Sequence, residues 1–265
     1  MSGTTGTTRR TSTTRRTSTT RMTGLIRAEL AKLTTVRTPR WLLAAELALL
    51  AMAASGAVVS GGISVLSLAT ADGQRTLLAH GGVVAVLSLC AGITLSAGEF
   101  RHGTAVDTFL TEPRRERMVV AQLAAGAVAG LVAGILAAVV AVGTDVVWCS
   151  VKNVPVDAAV CWRSAVGVAV WQLLYTVIGV AVGSLVRAQA AAVVVSVTWL
   201  FVAETAIAQL AGTIGKWLPA TAARALGADP TPGLLGQLDG GLVLAAWTLV
   251  AGLGAVVLTR RRDLT

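Results

Sequence analysis

The chain alternates long apolar runs with short polar breaks. A helix needs about twenty predominantly apolar residues to cross roughly 30 Å of hydrocarbon. Six runs meet that length, near 41–64, 77–98, 119–147, 164–186, 189–210 and 241–259. Trp41 opens the first, as an interfacial anchor. The fourth and fifth form one apolar stretch, cut only by Arg187-Ala188-Gln189. That stretch is far too long for one span, so it predicts a tight hairpin with Arg187 at its tip. Every run is rich in Gly and Ala, which let helix backbones approach closely.

The breaks between the runs carry most of the charge. The densest is Gly98 to Arg117, which holds Arg101, Arg114, Arg115 and Arg117 beside Glu99, Asp107, Glu112 and Glu116. Bare charges cost several kcal/mol in lipid, so this segment is expected at a membrane surface. Within it, Thr104 is placed to cap a short helix, with Asp107 three residues on as a variant of the capping box. Val106, Phe109 and Leu110 then give an apolar edge, and Pro113 ends the helix. The plain alternative is that these charges are solvated and only fix topology.

The first twenty-three residues differ from everything after them. They repeat Thr, Ser and Arg with almost no apolar side chain, so residues 1–23 are expected to be a disordered tail. About forty residues precede the first apolar run, which is not the layout of a signal peptide. In residues 24–38, Ile26, Leu30, Leu33 and Val36 recur at helical spacing with Arg27, Lys32 and Thr34 around the turn. That pattern predicts an amphipathic helix in the membrane interface, broken by Pro39 before the first span.

Charge sets the orientation. Of the 22 Lys and Arg, five (Arg75, Lys152, Arg163, Lys216 and Arg224) fall on one side of the six-span topology, and all the others on the side of the N-terminus. The positive-inside bias places both termini in the cytoplasm. It also explains the net charge of +9 without nucleic acid as a partner. A 54% hydrophobic composition and a mean hydropathy of +0.73 fit a membrane protein.

Little chemistry is present for catalysis. No G-x-x-x-x-G-K-S/T phosphate loop, G-x-S-x-G elbow or H-E-x-x-H zinc pair occurs, and His80 and His102 are isolated. The chain is therefore not expected to be an enzyme or to hold a metal. Cys149 and Cys161 lie in the third-to-fourth outer loop by this topology and are candidates for a disulfide, with two free thiols as the alternative. Cys90 falls in mid-membrane, where packing is its expected role. Glu204, deep in the fifth run, is a candidate to face a substrate path or to bind a cation. Alternatively it is protonated, or pairs with Lys216 or Arg224. Glu46 is expected to be structural, pairing with Arg40 or reaching the interface, and Gln172 and Gln209 to join helices by polar contacts. The last outer loop, 211–240, is expected to hold short helices on or in the outer leaflet.

With these residues in place, the chain resembles the ABC-2 type permeases, the membrane subunits of ABC exporters. The resemblance rests on Gly98-Glu99-Phe100-Arg101-His102-Gly103-Thr104, then Leu110 and Pro113-Arg114-Arg115, leading into the next span. It continues in Gly179 to Arg187 leading to Ala191-Ala192-Val193, in Leu218-Pro219, and in Arg261-Arg262-Asp263-Leu264. It covers roughly 24–265, a six-helix transmembrane domain, and leaves out the tail. It implies an all-α membrane protein with six transmembrane helices and cytoplasmic termini. It also implies a coupling helix between the second and third helices that docks on a separate ABC ATPase subunit. Glu99, Arg101, Gly103, Thr104, Phe109, Leu110, Arg114 and Arg115 are the residues expected at that contact. ATP and Mg would be bound by the ATPase, and this chain would need no cofactor. Its other partners would be a second permease copy or a sister permease, and the lipids of the plasma membrane. The expected activity is export of an amphipathic, lipid-like or drug-like substrate. The rival readings are a self-contained secondary transporter or channel, and a membrane assembly or immunity factor that transports nothing.

Overall fold

The computed structural model describes residues 22–31, 37–101 and 115–261. All regular structure among them is helical. Helix α1 covers 22–31. It is followed by α2 (Arg37–Val59), α3 (Val65–Leu68), α4 (Ala71–Val83), α5 (Val86–Arg101), α6 (Arg115–Val151) and α7 (Ala158–Val186). Next come α8 (Gln189–Thr198), a π-helical turn (Trp199–Ala203), α9 (Glu204–Leu210), α10 (Gly212–Gly215), α11 (Pro219–Leu226) and α12 (Gln237–Arg261). Six helical segments are long and apolar enough to cross a membrane: Arg37–Val59, Ala71–Gly98, Glu116–Val151, Ala158–Val186, Gln189–Leu210 and Gln237–Arg261. They match the six expected runs in order, and we number them as spans one to six.

The margins differ from the sequence expectation in physical detail. The described part of span one runs from Arg37 to Val59 and includes Pro39, while residues 32–36, between α1 and Arg37, lie outside the described residues. Beyond Val59 the chain turns through Gly61 at φ 80° and enters α3. Asp157 then caps α7, its Oδ1 accepting from the backbone N–H groups of Ala159 and Val160 at 2.9 and 3.1 Å. The hairpin between spans four and five is as tight as expected. Arg187 alone takes the left-handed conformation, at φ 57°, with its N–H on Gly183 O at 3.0 Å.

Span four, helix α7, is the centre of the bundle. It packs on α4, α5, α6 and α12. The close approach is built from small residues. A methyl group on Gly179 would land on Leu89 O, and one on Gly92 would land on Thr176 O. Across the other face, a methyl on Gly134 would meet the Ala169 backbone. Thus α5 and α6 lie backbone to backbone against α7, as small-residue spacing in membrane helices permits. The core around this seam joins Leu89, Ile93, Trp171, Tyr175, Leu226 and Leu244.

Span two is not one continuous helix. Helix α4 ends at Val83, two residues turn, and α5 begins at Val86. Irregular backbone at membrane depth must be covered by protein. Trp171 lies flat against Gly82, where any side chain would collide with its ring. Gln172 Nε2 donates to Gly81 O at 3.1 Å. The break is therefore covered and satisfied by span four.

Candidate functional site

Two cavities flank that break, and each has a buried glutamate in its wall. The first, of about 320 Å³, lies among α1, span one, span two and span three. Its lining is mostly apolar, from Leu30 and Leu43 to Leu95 and Val132, with Arg40 and Glu46 as the charged residues. Glu46 is 1% exposed. Ser88 Oγ, in the first turn of α5, donates to its Oε2 at 2.9 Å. The carboxylate thus clasps span one to the restart of span two, and Arg40 is not its partner.

The second cavity, of about 340 Å³, lies between span five, α11 and the outside of the break. Val83 and Val86, on either side of the break, share its wall with Trp171, Tyr175, Leu200, Phe201, Glu204 and Arg224. Trp171 and Tyr175 meet edge to face, their centroids 5.8 Å apart. Glu204 is 1% exposed and is the only buried residue between Trp199 and Leu210.

The π turn explains how Glu204 comes to face inward. The other buried residues of span five are Ala192 and Ser196. In an uninterrupted α-helix, Glu204 would sit about 120° around from Ala192. The wider turn at Trp199–Ala203 takes back part of that rotation, which returns Glu204 to the buried face.

Glu204 Oε2 accepts the backbone N–H of Ala220 at 2.7 Å. Helix α11 has Leu218 at its N-cap position, which offers no side-chain oxygen, so Glu204 supplies the missing cap from another helix. The two bases proposed from sequence as its partners are engaged elsewhere. Arg224 bonds Asp229 Oδ2 through Nε at 2.9 Å and Nη2 at 2.8 Å. Lys216 stands 6.0 Å over the ring of Trp217. Glu204 Oε1 makes no hydrogen bond. Of the readings open for this residue, ion pairing with Lys216 or Arg224 is set aside, and a place on a cavity wall, with the carboxyl protonated or ionised, is what the fold provides.

A third buried acid escaped the sequence reading. Asp145 in span three is fully buried. Cys161 Sγ donates to its Oδ2 at 3.4 Å, and Cys149 Sγ approaches Oδ1 at 3.9 Å. Both cysteines are free thiols in this structure, the second of the two alternatives held for them. They are not in the loop, because α6 runs on to Val151 and α7 begins at Ala158, which buries both side chains against one carboxylate. The signal for this cluster was the single Asp within the third apolar run, close to its end.

Segment 211–240 does contain short helices, but α11 is drawn into the bundle. Ala222, Ala223, Ala225 and Leu226 are buried, and α11 packs on spans four and six. Of the proposed ATPase contact, Glu99, Arg101 and Arg115 fall at helix ends flanking the polar segment. Gly103, Thr104, Phe109, Leu110 and Arg114 lie outside the described residues, as do residues 1–21 of the expected tail. At the foot of that segment, Arg260 of span six pairs with Glu116 of span three. No group of three or more His, Cys, Asp or Glu side chains able to hold a metal occurs among the described residues.

The six apolar spans make the chain a multi-pass membrane protein by length and composition. No protein-family model matches the sequence, and no curated protein matches it at a significant level.

Proposed function

We infer that the chain is the permease subunit of an ATP-driven exporter of the ABC-2 type, with both termini in the cytoplasm and helix α1 at the inner interface. Its substrate would be amphipathic, lipid-like or drug-like, moved across the plasma membrane with energy from a separate ATPase. The observation that carries this reading is the charged segment between spans two and three. The helices on either side of it, α5 and α6, both pack along span four at glycine contacts. A partner pressing on residues 98–117 would therefore move two helices against the centre of the bundle. The Arg260–Glu116 pair ties span six to the same end. A second copy or sister permease would complete the pathway.

Co-expression with a phosphate-loop ATPase encoded by a neighbouring gene tests this. Phe109→Ala and Glu99→Lys are expected to insert normally but lose co-purification with the ATPase and ATP-dependent transport. Full association and transport in both variants would refute the docking role.

One observation favours a second reading, a proton-coupled carrier. Glu46, Asp145 and Glu204 are all buried within the spans, and none forms an ion pair among the described residues. Intramembrane acids of this kind serve as proton relays in transporters. Transport by the chain alone in proteoliposomes under an imposed pH gradient, without an ATPase, would establish that reading and displace the first.

A further inference from the structure

We propose that the cavity between span five, α11 and the break in span two binds an organic monocation, an ammonium group on a compact apolar body. The proposal rests on the transport reading and deepens it by naming a substrate class.

Four observations converge on that chemistry. The walls are apolar and aromatic, with Val83, Val86 and Leu200 beside the rings of Trp171, Tyr175 and Phe201. A cavity of about 340 Å³ is at the small end of the range for ligand pockets. Glu204 brings one carboxyl group to the wall, with Oε2 held by Ala220 N–H and Oε1 left without a hydrogen bond. The remaining charged group on the wall, Arg224, is neutralised by Asp229 and further bonded to Thr231 Oγ1 at 2.9 Å. Tyr175 and Trp199 also face the Glu204 carboxylate, and neither carries charge.

The wall therefore holds one acidic group and no free base, and a bound cation would favour its ionised form. An anion would meet Glu204 unshielded, and a neutral apolar molecule would leave Oε1 orphaned in a low-dielectric site, which is costly. A cation balances the ionised carboxylate by charge, with or without an N–H to donate, and is also attracted by aromatic faces. The apolar body would lie against the valines and leucine. The inner cavity lacks this arrangement: its wall carries both Arg40 and Glu46 and no aromatic ring.

Binding is measured on the full chain in lipid nanodiscs, without an ATPase. The probe is benzyltrimethylammonium, whose charge is permanent, and the reference is neopentylbenzene, its uncharged isostere. The wild-type protein is expected to bind the cation at least about tenfold more tightly than the isostere. Glu204→Gln should erase that preference, and Phe201→Ala, at a half-exposed position on the wall, should weaken cation binding several-fold with insertion intact. Val194→Ala, on the exposed face of span five, should change neither. Equal affinity for cation and isostere, undetectable cation binding, or an unchanged preference in Glu204→Gln overturns the proposal. If Glu204→Gln does not insert, an unchanged affinity in Phe201→Ala overturns it alone. Loss of ATPase association with cation binding intact would instead sink the exporter reading and leave the site standing.

Discussion

Spans four and five are neighbours in one uninterrupted apolar stretch, and they do opposite things. Half of the apolar window of span four is buried, against 11% of that of span five. Composition explains the contrast better than hydropathy. Span four carries Gly167, Gly179 and Gly183, each in contact with the backbone or a polar atom of another helix. Span five contains no glycine between Gln189 and Leu210, and Val194, Val195, Phe201 and Val202 are exposed. Apolar burial gives little drive between helices already in lipid, so small residues decide which helix sits at the centre. Span five touches the bundle through few side chains. Glu204 reaches α11 and the cavity from there.

The strongest way to break this comparison is to give span four the bulk of span five. Gly179→Val would drive a branched side chain into the Leu89 carbonyl, with no flexible neighbour to yield. Overpacking costs typically 1–3 kcal/mol and more where backbone must move, so a loss above about 3 kcal/mol is expected. Size-exclusion profiles and thermal unfolding in detergent would show it. The matched change in span five, Val194→Leu, should stay within about 0.5 kcal/mol. Equal tolerance at both positions would mean that the glycine seam does not organise the bundle.

A middle-sized effect is expected at the break in span two. Gln172→Leu removes the donor to Gly81 O and leaves a buried carbonyl unpaired, at a cost of about 1–3 kcal/mol. Gln209→Leu, on the exposed side of span five, is expected to be near neutral. A Gln172→Leu protein as stable as wild type would show that water or lipid can satisfy the break.

These contrasts also mark how far the residues alone could be read. The six spans and the Arg187 hairpin were legible because length and apolarity are properties of a single segment. The break at Val84-Ala85 was not, since Gly81-Gly82-Val83-Val84-Ala85 is as apolar as a continuous span, and the packing of Trp171 on Gly82 beside it is a tertiary contact with no local signal. The π turn was hidden for the same reason: Trp-Leu-Phe-Val-Ala has no local signal for a wider turn. Glu204 stood out as an acid in an apolar run, but its partner, a backbone N–H sixteen residues on, carries no residue-type signal. Cys149 and Cys161 misled because the loop was drawn too long. With only Lys152 to Pro155 and two further residues between the helices, both thiols fall inside the bundle.

The smallest effect concerns the latch beside Glu204. Burial alone would raise the Asp229 carboxyl, but hydrogen bonds from the Thr231 side chain and N–H and from Arg224 outweigh it and hold it below its ordinary value. A carboxylate lowered in the folded state stabilises it fully above the ordinary carboxylate range, and that contribution is lost as pH falls through the lowered value. The pair is partly exposed, with Arg224 at 45%, so at most about 1 kcal/mol is at stake. Protection factors for the amides of residues 219–232, with the intrinsic pH dependence of exchange divided out, should therefore be constant above about pH 5 and fall as the medium is made more acid than the ordinary carboxylate range. Asp229→Asn should show the lower protection already at neutral pH, with little further change on acidification. Protection in span four should ignore both the mutation and the pH, because its amides are held by the glycine seam and not by this ion pair. Parallel loosening of span four would show that the α11 latch and the bundle centre unfold as one unit, and the distinction between a fixed fourth span and a lightly held cavity beside α11 would have to be given up.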